Sequence, residues 1–208
     1  MEILNKNDGI VLSLIRLFHK ILNRLFVFMV FKTRQDIKID YTAQINGKSN
    51  INIGKNFYAG KFLRLEAFLL YNDQEFNPRL IIKDNVIIND FVHIGCVNYI
   101  EIGNNVLMAS KVYITDHNHG NYNNFSQSNP NISPSKRYID NEKKVIIEDN
   151  VWLGESVSIL PNVRIGKGSI IGANSVVCKD IPEYCIAVGS PAKVIKKFNF
   201  ETLTWEKI

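Results

Sequence analysis

The chain has 208 residues, 46% of them apolar and 22% charged, and a formal net charge of +5. That is enough for one domain with its own core. Lys and Arg are dispersed apart from Lys143 and Lys144 and the trio Lys193, Lys196 and Lys197, so small anionic ligands suit the charge but a nucleic-acid-binding stripe does not. Cys96, Cys178 and Cys185 show neither metal-like spacing nor evident pairing, which points to a reducing compartment, a cytoplasmic setting and ordinary packing roles. No small-residue cleavage site follows an apolar stretch near the N-terminus, so no secretory leader is expected.

The first predicted element is a helix over residues 10–31, IVLSLIRLFHKILNRLFVFMVF. Arg16, His19, Lys20, Asn23 and Arg24 interrupt its apolar run at steps of three or four, which gives one polar face. Basic and titratable groups in mid-segment argue against a membrane-spanning helix. Two readings stay open. The helix caps an open apolar end of the following structure or packs at a subunit contact, or it makes a peripheral contact with an anionic membrane. Stacked-repeat proteins need terminal caps, which favours the first. Residues 1–45 are accordingly set apart as an N-terminal helical segment.

From Ile53 to Leu70 run three irregular hexapeptides, IGKNFY, AGKFLR and LEAFLL, and a turn insertion is expected over residues 71–80. A strict register follows. Twelve hexapeptides read IKDNVI, INDFVH and IGCVNY from Ile82; IGNNVL, MASKVY and ITDHNH from Ile102; and IEDNVW, LGESVS, ILPNVR, IGKGSI, IGANSV and VCKDIP from Ile147. The first residue of each is aliphatic or Met, and the fifth is usually Val or Ser. A period of six is neither helical nor a simple alternation. It marks an all-β solenoid, a parallel β-helix with three short strands to a coil. Positions one and five point inward, and Gly, Asn and Asp suit corners where φ is positive. An antiparallel sandwich rarely keeps so strict a register. The register slips by Ile100 and Glu101, which a corner bulge can absorb. It stops after His119 and leaves a loop excursion over 120–144, rich in Asn and Ser, with Pro130 and Pro134. A loop of that length inside a regular repeat is functional or disordered. The repeat domain is assigned to residues 46–197 and a C-terminal tail to 198–208.

The repeat breaks on the sequence Ile-Thr-Asp-His-Asn-His, residues 114–119. A neutral imidazole can take a proton from a hydroxyl near neutral pH, and Asp116 could orient one of the two rings. Zinc is the competing reading, but His19 and His93 are the only other histidines and no third ligand stands out, so no metal is expected.

The segments IEDNVWLGESVSILPNVRIGKGSIIGANSVVCKDIPEY, VGSPAKVIKK and ITDHNHG resemble the hexapeptide-repeat, left-handed β-helix acyltransferases, in the branch of galactoside, maltose and capsular-polysaccharide O-acetyltransferases. The resemblance spans residues 50–197. It implies a left-handed coil, a homotrimer, acetyl-CoA as acyl donor, a histidine base between subunits and a carbohydrate acceptor. Surface polysaccharides such as capsule, O-antigen or sialic-acid-containing glycans are the acceptors it suggests. Counted without a gap, the family's base falls on His119, with His117 as the rival if a corner shifts the count. Asn89 falls on the acceptor-site asparagine. Trp152, Gly154, Glu155 and Ala173 fall along the pantetheine arm, although the family often has Ser where Glu155 stands. Lys179 and Lys193, and more weakly Lys196, fall where the family places phosphate-contacting cations. No nucleophile adjoins the histidines, so direct acyl transfer is expected. The alternatives are an N-acetyltransferase of an amino sugar or nucleotide sugar, and a silent or zinc-binding β-helix.

Overall fold

The computed structural model describes residues 9–32, 36–122 and 127–208. Most strands are parallel and fall into three sheets of nine, six and five strands. The chain visits these sheets in rotation. Ile37–Ile39 lies in the first, Gln44–Asn46 in the second, Ile51–Ile53 in the third, and Phe57–Ala59 is back in the first beside Ile37–Ile39. The rotation continues to the bridge between Ile165 and Ile181 and to Cys185–Val188. Each circuit stacks in register on the one before; His93, for instance, lies between Arg64 and Tyr113.

The six-residue period produces this arrangement through two inward positions. Ile82, Ile88, Ile94, Ile102, Met108, Ile114 and Ile147 occupy the first position and are buried, as are Val86, Val92, Val106, Val112, Val151 and Val157 at the fifth. The fourth position turns the corner. Asn85, Asn105 and Asn150 all have φ near +60°, a region where Asn is less strained than most residues. Their side chains hydrogen-bond in a ladder, Asn56 to Asn85 at 2.9 Å, then Asn85 to Asn105 and Asn105 to Asn150 at 3.1 Å. Phe62 and Phe91 hold the same backbone conformation at another corner and stack on each other at 4.8 Å, which offsets part of that strain. The glycine at the second position has its own cause. Asp84 Oδ1 accepts the Lys55 N–H at 2.8 Å, and a Cβ on Gly54 would lie 2.3 Å from that oxygen.

The helix, α1 (Ile10–Phe31), ends where Lys32 in the left-handed region donates its N–H to the Phe28 carbonyl. Its C-terminal half closes the first circuit: Val27 is buried, and Phe26 and Phe31 pack against the core. Asn23 Oδ1 accepts the Tyr41 N–H at 2.9 Å. The ladders begin at Ile37, so the expected boundary after residue 45 falls inside the first circuit, and among the described residues of that segment only 10–31 are helical. The tail is not separate from the strands either. Lys193–Asn199 runs antiparallel to Cys185–Val188 and to Thr204–Lys207.

In the first four circuits the irregular segments leave the stack between the second and third sheets. A 3₁₀ turn, Lys48–Asn50, occupies this edge in the first circuit and a hairpin of Leu70–Tyr71 with Gln74–Glu75 in the second. Residues 97–98 widen it in the third, which is where the register slips, and the 120–144 excursion leaves in the fourth. Of that excursion, residues 123–126 lie outside the described residues. Strands Asn118–His119 and Ile139–Asp140 pair antiparallel at its base.

Candidate active site

The irregular edge gathers the titratable groups. Asp116 follows Thr115, which pairs with Gly95, so its carboxylate reaches the corner formed by residues 96–99 one circuit below. The two extra residues turn three backbone amides toward it. Val97 donates to Oδ1 at 3.0 Å, and Asn98 and Tyr99 donate to Oδ2 at 2.9 Å. The Cys96 thiol adds a weak contact at 3.4 Å. Asp116 has no exposed surface, so these donors replace its hydration. Burial, followed by the neighbouring Asp116 charge, pushes the Cys96 thiol well up, so it stays protonated as a donor.

The His117 ring donates from Nδ1 to Asp116 Oδ1 at 2.9 Å, with Thr115 Oγ1 at 3.1 Å. That leaves Nε2 as the basic nitrogen. Phe68 meets the ring edge-on at 5.8 Å. His119 is more exposed and makes no bond to Asp116; it stands edge-on to Tyr71 at 5.2 Å. The carboxylate therefore orients His117, whereas the ungapped count from Ile102 falls on His119.

Beside this dyad lies a second polar group that the repeat does not reveal. Glu66 accepts from Arg64 at 2.7 Å, from His93 Nε2 at 2.8 Å and from Asn46 at 3.2 Å. Burial acts to raise the Glu66 carboxyl, but the hydrogen bonds from Arg64 and His93 outweigh it and hold it below the usual range. Burial, then the Arg64 charge, lowers His93. Gly95 is the floor between the two imidazoles: a Cβ there would sit 3.5 Å from His117 Cε1 and 3.7 Å from His93 Nε2. Arg64 and Glu66 lie on one strand and carry no motif, and His93, 27 residues beyond Glu66, is brought to them by the strand register.

The hairpin and the excursion wall this edge. Tyr71 Oη and Asn72 donate to the Ser135 carbonyl at 2.9 and 3.0 Å, and Ile139 N–H donates to Gln74. Phe76, Val97 and Ile139 form a small apolar cluster between them, packed by Phe68 and Tyr71. Asn89 is exposed at the end of Ile87–Ile88, and its N–H donates to the Met108 carbonyl at 3.0 Å.

On the outer face of the first sheet, Tyr58, Ile87, Leu107, Trp152, Ile170 and Ile186 are consecutive register partners and form an apolar row. Trp152 is 49% exposed. Gly154 backs closely onto the next circuit, since a Cβ would lie 2.6 Å from the Ala173 nitrogen. Glu155 pairs with Lys111 at 3.8 Å and its carbonyl accepts the Asn174 N–H. Lys179 and Lys193 are exposed and Lys196 half-buried, with Lys193 and Lys196 on the C-terminal hairpin. Among the described residues no three His, Cys, Asp or Glu side chains converge as metal ligands would.

Residues 144–179 match the family described as bacterial transferase hexapeptide (six repeats). The chain is 45% identical over 170 residues to a putative lipopolysaccharide biosynthesis O-acetyl transferase, WbbJ, of Escherichia coli, an alignment covering 81% of this chain and 83% of the relative. It is 44% identical over 100 residues to the galactoside O-acetyltransferase of Lactococcus lactis, covering 47% and 43% of the two chains. Among solved structures it is similar to AntD, an N-acyltransferase from Bacillus cereus crystallised with dTDP-4-amino-4,6-dideoxyglucose and coenzyme A. That likeness has a TM-score of 0.55 at 24% identity, covers 80% of this chain and 83% of the other, and bears on the fold alone.

Proposed function

The chain belongs to the hexapeptide-repeat acyltransferases, and from that membership we propose that it is an acetyl-CoA-dependent O-acetyltransferase of a carbohydrate, with a bacterial surface polysaccharide or its precursor as acceptor. The name of its Escherichia coli relative, a lipopolysaccharide O-acetyl transferase, supports the acceptor class. The reading includes a left-handed solenoid that bears the chemistry and a homotrimer working in the cytoplasm. One observation carries the chemistry: a fully buried carboxylate, fixed by three amides, orients a histidine whose ring borders Gly95.

In this mechanism His117 rather than His119 is the general base. Its Nε2 takes the proton of a sugar hydroxyl, and the oxygen attacks the thioester carbonyl of acetyl-CoA. Asp116 holds the tautomer and stabilises the imidazolium that forms. When the tetrahedral intermediate collapses, the imidazolium returns the proton to the leaving CoA thiolate. A covalent acetyl-enzyme plays no part: Cys96 is buried and protonated, and the buried Thr115 hydroxyl lies against Nδ1, away from the basic Nε2. His119, Tyr71, His93 and Asn89 stand around the acceptor. The outward row at Leu107, Trp152 and Ile170 suits the apolar pantetheine arm and a partner subunit, with the Gly154 and Ala173 backbone alongside. Lys179, Lys193 and Lys196 supply cations for the CoA phosphates, while Glu155 acts through its ion pair with Lys111.

The test is to incubate the purified chain with acetyl-CoA and a panel of oligosaccharides and to follow thiol release. Transfer to a hydroxyl gives an ester that mild alkali removes; an alkali-stable acetamide would replace this reading with N-acetylation. Thiol release with no acceptor on the panel, unchanged in the His117→Ala variant, would remove the dyad from the chemistry.

A further inference from the structure

The helix α1 turns its strongest apolar surface away from the protein. Its coil-facing stripe is His19, Asn23, Phe26, Val27 and Phe31, which are buried or half-buried. On the opposite side Leu14, Leu17, Phe18, Ile21, Leu25 and Phe28 are each 45–60% exposed. An apolar arc of this extent on a protein surface marks an interaction face. Along one edge of the arc run Arg16, Lys20 and Arg24, four residues apart and therefore aligned along the helix; all three are exposed. The helix contains no Asp or Glu.

Two occupants could cover such a face, a second copy of the helix or a lipid surface. Val11, Leu14, Phe18, Ile21, Leu25 and Phe28 do follow the alternating three-and-four spacing of a helix–helix seam. Two observations oppose that partner. The exposed apolar surface is wider than a seam, taking in Leu17 and Met29 and, in the first two turns, Leu12 and Ile15 as well. Copies side by side would also set one cationic edge against another with no acid on either helix to pair it. An anionic lipid surface complements both features, since acyl chains take a broad apolar arc and headgroups meet the cations, whose long stems reach past apolar neighbours. The helix is not long and apolar enough to cross the bilayer, so it would lie along it.

We propose that α1 is an interfacial anchor that binds the anionic surface of a membrane through its outward apolar arc and its Arg16–Lys20–Arg24 edge. This inference is independent of the acetyl-transfer reading. The experiment is flotation of the full chain with vesicles of phosphatidylcholine alone and of phosphatidylcholine mixed with phosphatidylglycerol. Binding is expected to the mixed vesicles and to weaken at high salt. Lys20→Glu with Arg24→Glu should lower partitioning by more than about tenfold, and Leu17→Asn with Ile21→Asn should abolish it. Both variants should keep the melting temperature and particle mass of the parent. Absence of binding, or equal binding to both vesicle types, overturns the proposal. So does a fall in particle mass in the Leu17/Ile21 variant, which would assign the arc to a second copy.

Discussion

At the scale of single residues the decisive contact is Asp116 to His117. Loss of a general base costs about 10²–10⁴ in rate. His117→Ala should lower kcat by that order and leave the KM for acetyl-CoA nearly unchanged. His119→Ala should act mainly on the KM for acceptor. Steady-state kinetics on both variants checks this, and the reverse result would return the base to the position reached by ungapped counting. The neighbouring group makes a separate prediction about pH. His93 is held below its ordinary value, so the unfolded chain binds more protons than the folded one as the pH falls through about 6.5. Stability should therefore drop on acidification from that point. Glu66, also lowered, adds a further loss at more acidic pH, once its carboxyl begins to protonate. His93→Gln should flatten the first part of a plot of melting temperature against pH. A plot as steep as the parent's between pH about 7 and 5 would place the proton uptake elsewhere.

At the scale of elements, the hairpin at residues 70–75 and the excursion over 120–144 behave as attachments to a stack that is complete without them. Their bases are adjacent in space, and Lys144–Ile147 pairs directly with Tyr99–Ile102 as though nothing intervened. Shortening a loop changes its closure cost only with the logarithm of its length. Replacing residues 123–136 by a short Gly-Ser link should leave the thermal transition near that of the parent, as measured by calorimetry. It removes Ser135, and with it the bonds from Tyr71 and Asn72, so acceptor KM should rise. Full activity on the natural acceptor would make the excursion a bystander. Core substitutions should behave very differently. Met108 and Ile114 have no exposed surface, and truncation of either to Ala should cost about 2–5 kcal/mol in denaturant unfolding.

For the whole molecule, the outward apolar row from Tyr58 to Ile186 leaves one face of the stack underused in a single chain. The proposed homotrimer would cover that face. Light scattering should give about three times the 23.8 kDa chain mass, and Leu107→Glu should lower it together with activity. A fully active monomer would remove both the trimer and any shared site.

The period of six, the corner asparagines and the inward aliphatics made the stacked parallel strands legible from the sequence, because each is a local demand repeated every hexapeptide. The candidate site at Asp116, His117 and His119 was legible because it stands where the repeat stops. The two-residue slip before Ile102 could be seen but not placed: the structure puts the extra residues at 97–98, where they turn three amides toward a carboxylate seventeen or more residues on. Which imidazole that carboxylate grips was decided by the tertiary structure. His117 and His119 are two residues apart, so a two-residue offset at a corner exchanges them, and counting along the chain cannot detect it. Arg64, Glu66 and His93 went unread because their proximity is a matter of register between circuits. The start of the ladders at Ile37 went unread because Ile37–Ile39 and Gln44–Asn46 lack the six-residue pattern and are held by the circuits above them and by α1.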